Sequence, residues 1–441
     1  MIETALKISL KQHVGSPCKP IVSVGDLVKR GQLIAVPNGL GANIHASYSG
    51  KIADITNQYI EIVDYDVNED LNNYVKLDSK LNHRELIEQA GIVGAGGAGF
   101  PTSIKFNVEF EPEDDGCVIV NAAECEPSLQ HNIAFAIEDF DTIVRGLKYL
   151  MEITKAKKGF VASKHKYIKA FGIMKKRLAE EKDIELFDLS DMYPAGDERV
   201  IIREIKKVEL QPGELPFKTK SIVTNLETVK NVTRAIEDLR PVFTKDVTIG
   251  GKVNDVEAQP GRVFFDVPIG TPASEMFEKV HGIMDNSGPI YVGGPFTGKI
   301  ADQHTPITKT TGGFLVAMPF LSFTNEKFGI IGCECGAGLQ ELTELAAYLG
   351  GEVVGARNCK RMKPDATGRL RCTLPGICPG QAPTMLELKK LGATAILIGT
   401  CESRTNTVAT AAPGMGLKLI HKTDFVLRAT DHRLYRKIAD K

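Results

Sequence analysis

Gly91-Ile92-Val93-Gly94-Ala95-Gly96-Gly97-Ala98-Gly99-Phe100-Pro101-Thr102 is the most glycine-dense stretch of the chain. Positions without a side chain let backbone N–H groups approach an anion, and a helix starting beside them adds favourable partial charge. The loop therefore reads as a phosphate or nucleotide cradle, with a simple tight turn as the alternative. It is not the dinucleotide fingerprint, because no strand immediately precedes it and no acidic residue follows at the required spacing. A helix over Asn82–Ala90 leads into it. Downstream, apolar runs such as Cys117-Val118-Ile119-Val120 alternate with amphipathic stretches such as Phe135–Thr154. That alternation predicts an α/β layer fold.

Three polar turns follow apolar segments here: Asn121-Ala122-Ala123-Glu124-Cys125-Glu126-Pro127, Tyr193-Pro194-Ala195-Gly196-Asp197-Glu198 and Thr224-Asn225-Leu226-Glu227-Thr228. Ligands of open α/β sheets sit beyond the carboxyl ends of the strands. Carboxylates there suit ribose hydroxyls or the edge of a flavin ring. For Glu124, Glu126 and Glu198 a solvated-loop or helix-cap role is an equal alternative.

Upstream, residues 1–78 read as short strands and turns. Gly25-Asp26-Leu27-Val28-Lys29-Arg30-Gly31-Gln32 and Ser49-Gly50-Lys51-Ile52 resemble the barrel-sandwich hybrid of lipoyl and biotinyl carriers. Pro37-Asn38-Gly39-Leu40-Gly41 stands where a carrier needs its lysine, so the module reads as a docking or structural barrel. Residues 243–325 hold strands over Val247–Gly250 and Arg262–Val267 and a short helix over Pro272–Val280. They resemble a β-grasp module of the soluble-ligand-binding (SLBB) type. Residues 326–441 read as a small parallel α/β unit. Its strands are Phe328–Ile331, Val353-Val354, Ala395–Ile398 and Leu417–Ile420, its helices Leu339–Leu349 and Pro383–Leu391, and a basic amphipathic helix runs to the end. With residues 79–242 as the α/β unit that carries the glycine loop and the three turns, the expectation is a multi-domain α/β protein.

The chain's 441 residues carry 54 Lys+Arg against 55 Asp+Glu, a net charge of −1, which argues against a nucleic-acid surface. No apolar run approaches a membrane span, and Met1-Ile2-Glu3-Thr4 has no leader pattern. A cytoplasmic protein is expected. The nine cysteines are uneven: Cys18, Cys117 and Cys125 come early, and Cys333, Cys335, Cys359, Cys372, Cys378 and Cys401 crowd the last quarter. Cys333, Cys335, Cys359 and Cys401 each follow a predicted strand, so a parallel sheet would gather them on one edge. Cys372 and Cys378 lie in a long loop, 361–381, that could fold over that edge. Such thiols can cycle as a dithiol, bind zinc or an iron–sulfur cluster, or rest as buried side chains. The redox reading places catalysis on Cys333, Cys335, Cys378 and Cys401. The metal reading takes all six. Cys18, Cys117 and Cys125 read as packing residues.

The glycine loop and the three turns, in this order and spacing, resemble the RnfC-like family of NADH dehydrogenase and electron-transfer proteins, and more distantly the flavin protein of respiratory complex I. Within the family the chain is similar to the soluble branch associated with proline reductase. The resemblance implies FMN and NADH as cofactors. It implies that Gly94, Gly96, Gly97 and Gly99 face flavin phosphate or NADH, that Phe100 stacks on the nucleotide and that Lys105 pairs with phosphate. Asn121, Glu124, Glu126, Glu198, Asn225 and Thr228 would hold the flavin. The repeated C-x-x-C-x-x-C-x-x-x-C-P clusters of RnfC proteins are missing. The strand and cysteine order of the last quarter, with Gly376-Ile377-Cys378-Pro379-Gly380, is also similar to the CGGC metal-binding domain. The implied activity is NADH-dependent electron transfer through FMN to the cysteine centre and on to a partner reductase, proline reductase by the branch resemblance. A non-catalytic adaptor and a metal-binding sensor are the alternatives. Association with a second copy stays open.

Overall fold

The computed structural model describes residues 5–436. The leader reading at Met1–Thr4 and the last five residues of the expected terminal helix lie outside them. The first unit is built from two small antiparallel sheets. Leu6–Ser9, Tyr59–Val63, Gly50–Ile55 and Leu27–Val28 form one, and Lys19–Pro20, Leu33–Val36 and Ile44–His45 the other. Alternation drives the closure: Leu6 and Ile8 turn inward opposite Ile62 and Ile60, while Lys7 faces out. Buried Arg30 ties the barrel to the segment after it, donating to the carbonyls of Ser47, Glu69 and Asp70.

The next sheet is wholly parallel, in the order Ile184–Leu189, Lys158–Lys164, Cys117–Ala122, Ser221–Asn225. All four carboxyl ends share one edge. Where the amphipathic stretch Phe135–Thr154 predicted one helix there are two, His131–Glu138 and Phe140–Thr154. The break is Asp139, whose carboxylate caps the second helix at Thr142 N. That helix buries Ile143, Val144, Leu147 and Leu150 against the sheet, the three-and-four spacing of an amphipathic face.

A mixed five-stranded sheet follows, in the order Arg262–Pro268, Thr244–Gly251, Gly313–Val316, Ile290–Val292, Lys299–Ala301, with the helix Ala273–Glu278 beside it. The last unit carries a second all-parallel sheet, in the order Glu352–Asn358, Lys327–Gly332, Ala395–Ile398, Lys418–His421. Two of its features escaped the sequence reading. Residues 361–381, expected as loop, contain the hairpin Met362–Pro364 and Leu370–Cys372. A helix, Glu402–Ala411, follows Cys401 although its threonines and asparagine favour other conformations; packing of Thr405 and Val408 decides it. The expected terminal helix is short, Asp424–Ala429. No helix among the described residues is long and apolar enough to cross a membrane.

Candidate functional site

Gly94 N–H donates to Phe100 O at 2.9 Å and closes the glycine loop on itself. Thr228 fastens it to the helix Leu226–Glu237, donating to Val93 O and accepting from Ala95 N at 3.0 Å. A Cβ on Gly96 would lie 2.6 Å from the Asn225 amide, so only glycine admits that side chain; one on Gly97 would meet nothing within 4 Å. Gly99 has φ +74°, the left-handed region. The outer face of the loop is therefore open backbone, and Phe100 beside it is 39% exposed.

The polar side chains assigned to the flavin by resemblance are largely taken up by the protein. Asn121 donates to Gly196 O at 2.8 Å and accepts from Ala123 N. Asn225 caps its helix at Glu227 N. Glu126 accepts from Phe296 N, Thr297 N and the Thr297 hydroxyl, tethering a loop of the mixed-sheet unit. Lys105 pairs with Glu198 at 3.6 Å instead of standing free; the pair is part-exposed, the kind an incoming phosphate displaces at little cost. Glu124 accepts from the backbone and side chain of Asn132, and burial pushes its carboxyl up to about 7.

What the sequence reading missed is Lys164. It closes its strand at the carboxyl edge, wholly buried, and its Nζ has no hydrogen-bond partner; neighbouring Ser163 Oγ is orphaned too. An unpaired buried ammonium is costly unless an anion meets it. Its charge acts on Cys125. The signal was present as a lysine ending an apolar strand of a parallel sheet. An open glycine backbone, an orphaned ammonium and an exposed aromatic ring fit FMN.

The thiols lie at the matching edge of the second parallel sheet. Cys333 and Cys335 follow the strand ending at Gly332, Cys359 the one ending at Asn358 and Cys401 the one ending at Ile398. All four are buried, as is Cys372 from the hairpin. The turn carrying Cys335 lies so close to Gly399 that a Cβ on Gly336 would fall 1.7 Å from its carbonyl oxygen. Cys333 neighbours Cys335 and Cys359, and Cys335 also neighbours Cys372 and Cys401. Those contacts, with the Arg404 charge, hold the Cys333 thiol well below its ordinary range, whereas Cys335, the shared neighbour, is pushed well up. Arg404 itself donates to Cys359 Sγ.

Cys378 stands apart from the set in which it was placed. Its sulfur lies 3.5 Å from Thr407 Oγ1 and accepts from Gln381 Nε2. Among the described residues no group of three or more His, Cys, Asp or Glu side chains is arranged to hold a metal ion. Cys335 has Cys333, Cys372 and Cys401 as neighbours, and the guanidinium of Arg404 lies on the sulfur of Cys359. Of the six cysteines of the metal reading, Cys333, Cys335, Cys359, Cys372 and Cys401 are neighbours and Cys378 is not among them.

The flavin-side turns and the thiols meet. Cys125 packs against the cluster of Cys333, Cys335, Cys372, Cys401 and Tyr193, and accepts from Gly196 N at 3.3 Å. Tyr193 stacks on Phe296 with centroids 3.5 Å apart. Arg199 spans the two sheets, pairing with Glu334 at 3.1 Å and donating to Cys372 O; Glu334 also binds Arg371 and Cys372 N. Arg199, Glu334 and Arg404 were not legible in sequence, since their roles depend on which loops meet.

Residues 87–234 match the Nuo51 FMN-binding domain and residues 1–67 the RnfC barrel sandwich hybrid domain. The RnfC-type component of the proton-translocating ferredoxin:NAD(+) oxidoreductase complex of Clostridium ljungdahlii is 32% identical over 326 residues, covering 70% of this chain and 69% of its own. Its counterpart in the Na(+)-translocating complex of Acetobacterium woodii is 28% identical, covering 70% and 72%. The cobalamin reductase PduS of Citrobacter freundii is 37% identical over 234 residues, 53% of this chain; the match spans about half, 49%, of that relative's length.

Proposed function

The chain belongs to the RnfC-like family, and on that premise we propose that it carries electrons from NADH, through FMN, to the C-terminal thiols and on to a partner reductase. The partner is proline reductase on the branch resemblance. The observation that carries the reading is that Cys125, inside the flavin segment, packs into the same buried cluster as Tyr193, Phe296 and the thiols Cys333, Cys335, Cys372 and Cys401 of the last unit. Two of the relatives' names place NAD(+) on one side of their reactions.

FMN supplies, when bound, a centre that accepts electrons as a hydride and releases them one or two at a time. The protein's part is placement. The exposed backbone of Gly96, Gly97 and Ala98 and the Lys164 ammonium hold anionic oxygens, and Phe100 offers a face to the nicotinamide. Glu124, with its carboxyl near 7, holds a proton in a site shielded from water. Closing a disulfide from the Cys333 thiolate and the Cys335 thiol releases two electrons and one proton; reopening it takes them back. The Arg404 charge favours the thiolate that starts such an exchange.

One observation favours the adaptor instead: Asn121, Glu126, Asn225 and Thr228 already spend their polar atoms on the protein. Titrating the anaerobic chain with FMN separates the two. Flavin bands that survive gel filtration support electron transfer, and failure to bind FMN supports the adaptor. Cys335→Ser is then expected to abolish delivery to the partner while sparing NADH oxidation by an artificial acceptor. Equal loss of both activities would overturn the relay.

A further inference from the structure

We propose that the last unit binds a small polyanion, a carboxylate or a phosphate, in a basic cavity beside Cys378. The cavity has a volume of about 860 Å³, within the usual range for small-molecule sites. Lys360, Arg361 and Lys363 form one wall, and the first turn of the helix Ala382–Lys390 another. No aspartate or glutamate lines it. Three cations within four positions, facing a helix start and no carboxylate, set up a field that an anion neutralises.

The unspent hydrogen-bonding groups agree. Arg361 Nε is buried without a hydrogen-bond partner. Gln381, 1% exposed, keeps Oε1 free, an acceptor for a hydroxyl on the ligand or a water accompanying it. Behind this wall, Arg404 is buried with Nε and Nη1 unpartnered, adding a further positive charge. Cys378 Sγ touches both Gln381 and Thr407, which line the cavity, so the thiol lies directly behind its wall. The site stands independently of the flavin reading.

The test is calorimetric titration of the full chain with citrate and, separately, with inorganic pyrophosphate, at low and high salt. We expect one-to-one binding of at least one probe, weaker at high salt. Lys360 and Lys363 are exposed, so the double variant Lys360→Gln/Lys363→Gln is expected to keep its fold, checked by thermal melting, and to bind about ten-fold more weakly. Bound probe should also slow alkylation of Cys378 by iodoacetamide, read by peptide mass mapping, while other cysteines keep their rates. Citrate alone binding marks a carboxylate site, and pyrophosphate alone a phosphate site. Binding of neither, binding untouched by the double variant, or unprotected Cys378 would overturn the proposal.

Discussion

The guanidinium of Arg404 donates a hydrogen bond to the sulfur of Cys359, and its charge reaches Cys333 as well. A buried cation whose charge reaches Cys333, Cys359 and Cys401 biases which thiol is ionised. It lowers the cost of one thiolate, and the neighbouring thiols of Cys335 and Cys359 direct that thiolate to Cys333.

Arg404→Gln is therefore expected to raise the Cys333 titration. Thiolate absorbance followed against pH should shift to higher pH, and alkylation of Cys333 at neutral pH should slow. An unchanged titration would show that the thiol–thiol contacts suffice alone.

Glu124 makes folding depend on pH. Its carboxyl rises from an ordinary 4.5 to about 7 in the folded chain, so the native state binds the proton more tightly than the unfolded state. Its contribution is fully present below 4.5 and is lost as pH rises through about 7. Glu124→Gln keeps an acceptor for Asn132 and removes the titration. The melting-temperature gap between variant and native chain should widen from pH 5 to pH 8, the variant ending roughly 3 kcal/mol better off.

At the loop, Gly96→Ala sets a methyl against the Asn225 amide that caps the helix Leu226–Glu237. A loss of about 1 kcal/mol in urea unfolding is expected from the displaced cap. Thr228→Val removes both loop hydrogen bonds and should cost about 2 kcal/mol. Both should weaken FMN binding in a fluorescence titration.

Lys164→Met separates function from stability. Removing an unpartnered buried ammonium should raise the melting temperature of the flavin-free chain by a few degrees. The same change should weaken FMN binding by about ten-fold or more, the loss of one charge-assisted contact. A variant that is less stable and binds FMN normally would show that the lysine serves packing.

Both parallel sheets were legible because their strands are continuous apolar runs, such as Cys117–Val120 and Ala395–Ile398, the pattern of strands buried on both faces. Once the sheets are parallel, their carboxyl ends share an edge. The open glycine loop and the gathering of cysteines that follow strand ends rest on local pattern in this way. The helix at Glu402–Ala411 does not, since its threonine-rich sequence carries little helical signal and packing overrides it.

Sequence by itself thus determined the strand ends and the glycine backbone, because each depends on neighbours a few residues apart. Tertiary structure alone decided that Glu126 tethers a distant loop, that Lys105 faces Glu198, that Lys164 is left unpaired and that Cys378 lies beside a cavity. A side chain's partner across hundreds of residues is set by how whole sheets pack, and no local spacing encodes it.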